Sequence, residues 1–293
     1  MGEIFTLGRE MTHPFTSGKQ MADLSDTQLC AMTTQLTPEE AHSPFAGFYY
    51  EPMAPLQPEH TAALEQGPLP PELCYMPGQA GAVLLKNPEE YPENGYGVLD
   101  NGVGYGAILI RQAGVTDETI RKYRDEFAQD PYSREHARNL FYKIWFPGAH
   151  LIHFEDGVVE NFGWGMMRLE MNWDSFRLRH LGLSAEQIPE QDPNCICLLG
   201  LGGPGWEIAR PEDSIHHLCM VQHVRATDWG RELRVRYWNG IRLNPDGTVD
   251  PMPGRDRTRT LEEMRLMVNH CMQEYCNELK LMKEFWASGS PNL

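Results

Sequence analysis

The fold class this sequence predicts is α+β, a curved antiparallel sheet followed by one long C-terminal helix. Two observations predict it. The segments after residue 96 are short, rich in β-branched and aromatic residues, and separated by Gly, Pro, Asn and Asp. The last long segment instead carries an apolar period of 3.6 residues, and strands grouped ahead of a helix point to α+β rather than to alternating βαβ units.

Taken in order, residues 1–90 hold most of the prolines, in pieces such as "EPMAPLQPEH" and "GPLPPELCYMPG", with short helical hints such as "TPEEAH". They read as an irregular, Pro-rich N-terminal extension packing on a core formed by residues 91–293. In "YGVLDNGVGYGAILIRQAG" two β-rich runs are joined through Asn101-Gly102, a hairpin-turn pair, and Thr116 then caps a polar helix, "DETIRKYRDEFAQ". Next come "FYKIWF", "HLIHFEDG", "GWGMMRLEMNW", "CICLLGLG", "HHLCMVQHVRA" and "RELRVRYWNGIRL", which read as strands. The Gly-rich "GLGGPGWE" lacks the Gly-Lys-Ser/Thr ending of a phosphate loop and reads as a turn. The final helix is expected from Thr260, with Glu263 completing a capping box, to about Trp286. Met264, Val268, Cys271, Tyr275 and Met282 form its apolar stripe.

Composition narrows the function. Forty-one acidic against 25 basic side chains give a formal charge of −16, which repels nucleic acid and anionic membrane. No apolar run of 18 residues appears, and "MGEIFTLGREMTHPF" is not patterned as a secretory signal. Seven cysteines without a CxxC pair read as reduced thiols, so the expectation is a cytoplasmic protein with a small or neutral partner.

Chemistry concentrates in a few places. In "VNHCMQEYCNEL", His270 and Glu274 stand four apart and so share one helix face, where an imidazole and a carboxylate could grip one metal ion; a packed histidine with a solvated glutamate is the bland reading. Two ligands seldom hold a metal firmly, so further donors are needed. Tyr142, His150, His153 and Glu155 crowd into "FYKIWFPGAHLIHFE", although an extended chain would send His150 and His153 to opposite faces. Glu170 is a carboxylate in an otherwise apolar strand, and a buried acid needs a partner. His217 and His223 share one parity in "SIHHLCMVQHVRA". No GxSxG elbow or HExxH zinc helix occurs.

The segments "YGVLDNGVGYGA", "GVT", "YKIWFPGAH", "RLEMN", "HVRATDWGRELRVRYWNG" and "HCMQE", in that order from Tyr96 to Glu278, resemble the 2,4-diacetylphloroglucinol hydrolase and phloretin hydrolase family. The resemblance implies a helix-grip fold like that of Bet v 1 proteins. It also implies a zinc-dependent hydrolase that cleaves the carbon–carbon bond between an acyl group and a phloroglucinol ring. Carried over by position, it makes His150, Glu170, His270 and Glu274 the metal ligands, with Glu155 and Glu160 as rivals to Glu170. Two imidazoles and two carboxylates suit Zn²⁺ and cancel its charge. Tyr142, His223 and Tyr237 are implied around the substrate; there His223 is the candidate for proton transfer, because the ordinary pKa of histidine lies nearest neutrality, and the tyrosines would hold ring hydroxyls or the oxyanion. His153 stands where the diacetylphloroglucinol enzyme is expected to have asparagine, which leaves the acyl group open. The implied partner is a small aromatic acylphloroglucinol, without nucleic acid or membrane, and a homodimer stays open. Two other readings stay open as well, a mononuclear iron oxygenase and a non-catalytic carrier of hydrophobic ligands.

Overall fold

The computed structural model describes residues 34–116, 118–119, 140–153, 157–161, 166–172, 181–182, 199–204, 218–244, 246 and 248–288, with backbone alone at 152–153, 157–159, 161, 166–172, 199–204, 243 and 285–288. Eight antiparallel strands form one sheet: β1 (Gly95–Val98), β2 (Gly104–Ala113), β3 (His150–His153), β4 (Gly157–Asn161), β5 (Met166–Asn172), β6 (Leu199–Pro204), β7 (Leu218–Thr227) and β8 (Gly230–Asn239), in the order β1-β2-β8-β7-β6-β5-β4-β3. The strands β9 (Ile241–Leu243) and β10 (Val249–Pro251) make a separate ribbon. Short helices α1 (Pro58–Gln66) and α2 (Ala80–Leu84) precede the sheet, α3 (Leu140–Trp145) precedes β3, and α4 (Arg257–Ser288) ends the described chain. The architecture is thus α+β, with an antiparallel sheet and a long C-terminal helix.

The sheet is curled, and its contacts with α4 require it. Gly104 and Gly106 of β2 face the helix so closely that a Cβ would stand 2.6 Å from Met264 Cγ and 2.7 Å from Val268 Cγ2. At the far edge, His150 of β3 meets His270 and Glu274. Between β2 and β3 lie six inter-strand spacings, about 29 Å in a flat sheet. Met264 and His270 are separated by only about 9 Å of helix. Only a sheet wrapped around α4 satisfies both contacts, and glycine at positions 104 and 106 lets the helix seat against β2.

The two faces of the sheet carry different cores. Toward α4, Ile108, Ile110, Met220, Val235 and Tyr237 pack against Met264, Val268, Cys271 and Tyr275. On the outer face Tyr105, Ala107, Cys219, Val221 and Trp238 pack against Tyr75, Val83 and Leu84. That outer layer is fastened by buried charge. Glu93 accepts both Arg234 nitrogens, at 2.6 and 2.9 Å, and Arg236 at 2.7 Å. Arg234 also donates to the carbonyls of Val83, Leu84 and Lys86, in and just past the last turn of α2. Arg236 donates to the Tyr75 hydroxyl, and the Trp238 indole to the Tyr75 carbonyl.

Several local expectations are corrected. "FYKIWF" supplies not a strand but α3, because Leu140, Phe141 and Ile144 lie at helical spacing in a core with Phe45, Leu281 and Met282. The first half of "GLGGPGWE" is not a turn; it completes β6, paired to β5 and β7. Helix α4 starts three residues before Thr260 and is capped by Asp256, whose Oδ1 accepts from Arg259 N at 2.8 Å. Glu263 does not close a capping box there; it is held by Arg255, Arg259 and Asn239. The hairpin at Asn101-Gly102 forms, with Gly102 at φ 86° and the Asn101 side chain accepting from Val103 N. Thr116 accepts from Thr119 N, but the helix expected after it lies outside the described residues, as do Cys195, Cys197 and His217. Among the described residues no helix is long and apolar enough to cross a membrane.

The Glu93 cluster generates a stability prediction. Burial alone would raise the Glu93 carboxyl, but Arg236 and Arg234 outweigh it and hold the group below its ordinary range. A depressed folded value means that the stabilisation is complete above the unfolded value and disappears as pH falls through the folded one. Glu93→Ala, which leaves two buried guanidinium groups without their carboxylate, should cost about 3–5 kcal/mol in urea unfolding at neutral pH. The deficit relative to wild type should shrink in acid.

Candidate metal centre

Four side chains from three parts of the chain converge where the curled sheet closes on α4. His150 opens β3, Glu160 lies on β4 directly across from it, and His270 and Glu274 occupy successive turns of α4. All four are buried, and one donor atom from each lies within 4.8 Å of all the others. His150 Nε2 stands 3.9 Å from Glu160 Oε1 and 3.8 Å from Glu274 Oε2; His270 Nε2 stands 3.5 Å from Glu160 Oε2 and 3.9 Å from Glu274 Oε2. Donors bound tetrahedrally at about 2.0–2.1 Å would be about 3.4 Å apart, so a small contraction closes the group around one ion.

The local sequence explains how the first histidine is aimed. Pro147-Gly148, with Gly148 at φ 87°, ends α3 and turns the chain into β3. His150 then comes back beside Tyr142, and its Nδ1 lies 2.7 Å from the Tyr142 carbonyl. A carbonyl only accepts, so Nδ1 carries the hydrogen and Nε2 keeps its lone pair. That Nε2 is buried and finds no hydrogen-bond partner among the described residues. The Tyr142 ring stacks on the imidazole at 4.0 Å and 13°, and its hydroxyl donates to Glu160 Oε1. Phe146 packs against the His270 ring at 4.4 Å.

Electrostatically, burial and the two neighbouring carboxylates act against each other. Burial lowers the His150 pKa despite the pull of Glu160, so this imidazole is neutral at neutral pH. Burial and the proximity of Glu160 push the Glu274 carboxyl well above the carboxylate range. Glu160, whose burial is outweighed by His150, His270 and the Tyr142 hydroxyl, is held below it. Two carboxylates side by side in a water-poor interior thus ionise unequally, and a divalent cation would relieve the conflict for both. The group could hold a metal ion.

The structure brings together some of the residues expected from sequence and separates others. His150, His270 and Glu274 meet, Tyr142 lines the group, and Tyr237 lies on the α4 side of the sheet near Cys271, Glu274 and Tyr275. The fourth member of the group is Glu160. Glu170 pairs with Gly157 and not with the row of His150 and Glu160, and its side chain is not described; Glu155 lies outside the described residues. The expected alternation between His150 and His153 is broken by a β-bulge at Leu151, and His153 pairs with Val158, two residues from Glu160. His223 is buried, but on the face of the sheet away from α4. It pairs with Arg234 and shares the outer face with Cys219 and Val221, whereas its neighbour Gln222 faces α4 and donates to the Tyr275 hydroxyl at 2.5 Å. Gln222 and Tyr275 went unnoticed as polar lining. Tyr275 follows Glu274 directly, which was a signal, but it also fits the apolar stripe.

Fold and group together define an α+β protein with a buried site suited to a metal ion. No family model matches the chain. Over 114 residues it is 29% identical to a phloretin hydrolase from Eubacterium ramulus, a match that spans 38% of this chain and 38% of that protein and supports a distant relationship.

The geometry separates the rival carboxylates experimentally. Glu160→Gln removes one charge from the group and should weaken metal binding by at least an order of magnitude, as losing a charged donor does. Glu170→Gln should bind metal as wild type does, in competition against a chromophoric chelator.

Proposed function

We propose that this chain is a zinc-dependent hydrolase that cleaves the carbon–carbon bond between an acyl group and a phloroglucinol-type ring, releasing the ring compound and a carboxylic acid. The observation that carries the metal half of this reading is the convergence of two imidazole nitrogens and two carboxylates, all buried, within 4.8 Å. Such a donor set suits Zn²⁺, because nitrogen and oxygen ligands in near-tetrahedral array match its preferences and two carboxylates balance its charge. The distant likeness to a phloretin hydrolase and the curled sheet around α4, which fits a helix-grip fold, support the substrate half.

When bound, zinc would supply Lewis acidity toward the acyl carbonyl and a water of lowered pKa. The chain's own residues would do the rest. An aryl carbanion is a poor leaving group, but a phloroglucinol ring protonated on carbon becomes a 1,3-diketone whose cleavage expels a stabilised enolate. Holding that tautomer requires donors for the ring oxygens. Burial pushes the Tyr237 and Tyr275 hydroxyls well above their ordinary pKa, so both stay protonated beside Glu274. These hydroxyls are the donors in this reading, since His223 is on the far face. His153, whose place on the ladder is two residues along from Glu160, is the residue proposed to set acyl preference.

The test is incubation of purified protein with phloretin and with acetyl- and diacetylphloroglucinol, reading products by chromatography beside elemental analysis. Equimolar ring compound and acid, lost on chelation and restored by zinc, is the expected result. Bound iron with oxygen uptake, or substrate binding without turnover, would overturn it. Tyr237→Phe should keep zinc and lower kcat/KM roughly 10²-fold, the usual cost of one donor to a developing oxyanion.

A further inference from the structure

We infer that Tyr142 is a positioning residue of the metal group, aligning two of its donors from outside, and is not a substrate contact. The inference rests on the metal reading above and deepens it.

Three features of one residue carry it. The Tyr142 carbonyl takes the Nδ1 hydrogen of His150, at 2.7 Å, which fixes the tautomer and turns Nε2 toward the group. Its ring lies flat on the same imidazole, at 4.0 Å, and restricts ring rotation. Its hydroxyl donates to Glu160 Oε1, so that Oε2, the oxygen facing His270 Nε2 at 3.5 Å, is the one presented for ligation. A phenol has one hydrogen to donate, and here it is committed to Glu160. A substrate oxygen could claim it only by releasing that carboxylate.

The element carrying Tyr142 is itself fixed. Asn277 Nδ2 donates to the carbonyls of Ile144 and Trp145, at 3.1 and 3.0 Å, and so ties the end of α3 to the helix that bears His270 and Glu274. Lys143 forms a buried ion pair with Glu40, at 2.8 Å, and donates to the Gln35 carbonyl. Phe141 packs on Phe45 at 5.4 Å. A six-residue helix has little stability of its own. Held from both sides, it becomes a rigid mount, and outer residues that hydrogen-bond metal ligands typically govern affinity.

The experiment compares wild type, Tyr142→Phe and Tyr237→Phe. Zinc affinity is measured by chelator competition, the thermal midpoint of the metal-free proteins is recorded, and KM for phloretin is determined at saturating zinc. Tyr142→Phe should bind zinc roughly 10–100-fold more weakly, with KM unchanged once zinc saturates. Tyr237→Phe should bind zinc as wild type does. Wild-type zinc affinity in Tyr142→Phe with a raised KM would overturn the inference and make Tyr142 a substrate contact. Absence of zinc binding by wild type would instead bring down the metal reading beneath it. Should Tyr142→Phe fail to fold, Asn277→Ser, which frees the end of α3, is expected to weaken zinc in the same direction, and unchanged affinity there overturns the inference.

Discussion

Glu160 and Glu274 face each other across the seam between the sheet and its helix, both buried, with two imidazoles completing the group. Like charges so placed cannot ionise together at reasonable cost. The conflict lies where the curled sheet closes on α4. The bulge in β3, the Pro147-Gly148 turn and the glycines of β2 all shape the closure. A buried pair of this kind is costly without a compensating cation, so the metal reading rests on the interior rather than on the surface.

The sheet divides its labour between its faces. Alternation along β8 sends Tyr237 toward α4 and the neighbouring Arg236 and Trp238 outward, where Glu93 and Tyr75 receive them. The outer face carries a structural ion cluster in which donors and acceptors are matched. The inner face carries hydroxyls, a thiol and carboxylates, among them Tyr237, Tyr275, Cys271 and Glu274. Burial pushes the Cys271 thiol well up, so it behaves as a packed side chain and not as a nucleophile. Glu278, one turn beyond Glu274, is raised to about 8 by burial and by Glu274. Polar groups buried on one face and ion-paired on the other let one sheet anchor the preceding segment while keeping a polar interior.

The errors of sequence reasoning have a common physical origin. "FYKIWF" is rich in residues that favour strands, yet tertiary packing of Leu140, Phe141 and Ile144 makes it helical, because intrinsic preferences are weak beside the burial of an apolar face. The resemblance implies His223 beside the substrate, but strand parity is fixed by hydrophobic neighbours, and His223 shares the face of Cys219 and Val221, away from α4. An unbroken strand would alternate His150 and His153, but one unpaired residue, Leu151, shifts the register between them, and a bulge leaves no mark in composition.

The sequence by itself determined what repeats along the chain. The apolar stripe of α4, the shared face of His270 and Glu274, the hairpin at Asn101-Gly102 and the α+β class all follow from local periodicity and turn chemistry, which act over a few residues. Only the tertiary structure decided which carboxylate stands opposite them. Glu155, Glu160 and Glu170 are equivalent as donors in sequence. Glu160 joins the group because strand register sets it across from His150 and because the sheet curls far enough to bring that row onto α4. Register and curvature are properties of strands paired over long separations, and no short stretch of residues encodes them.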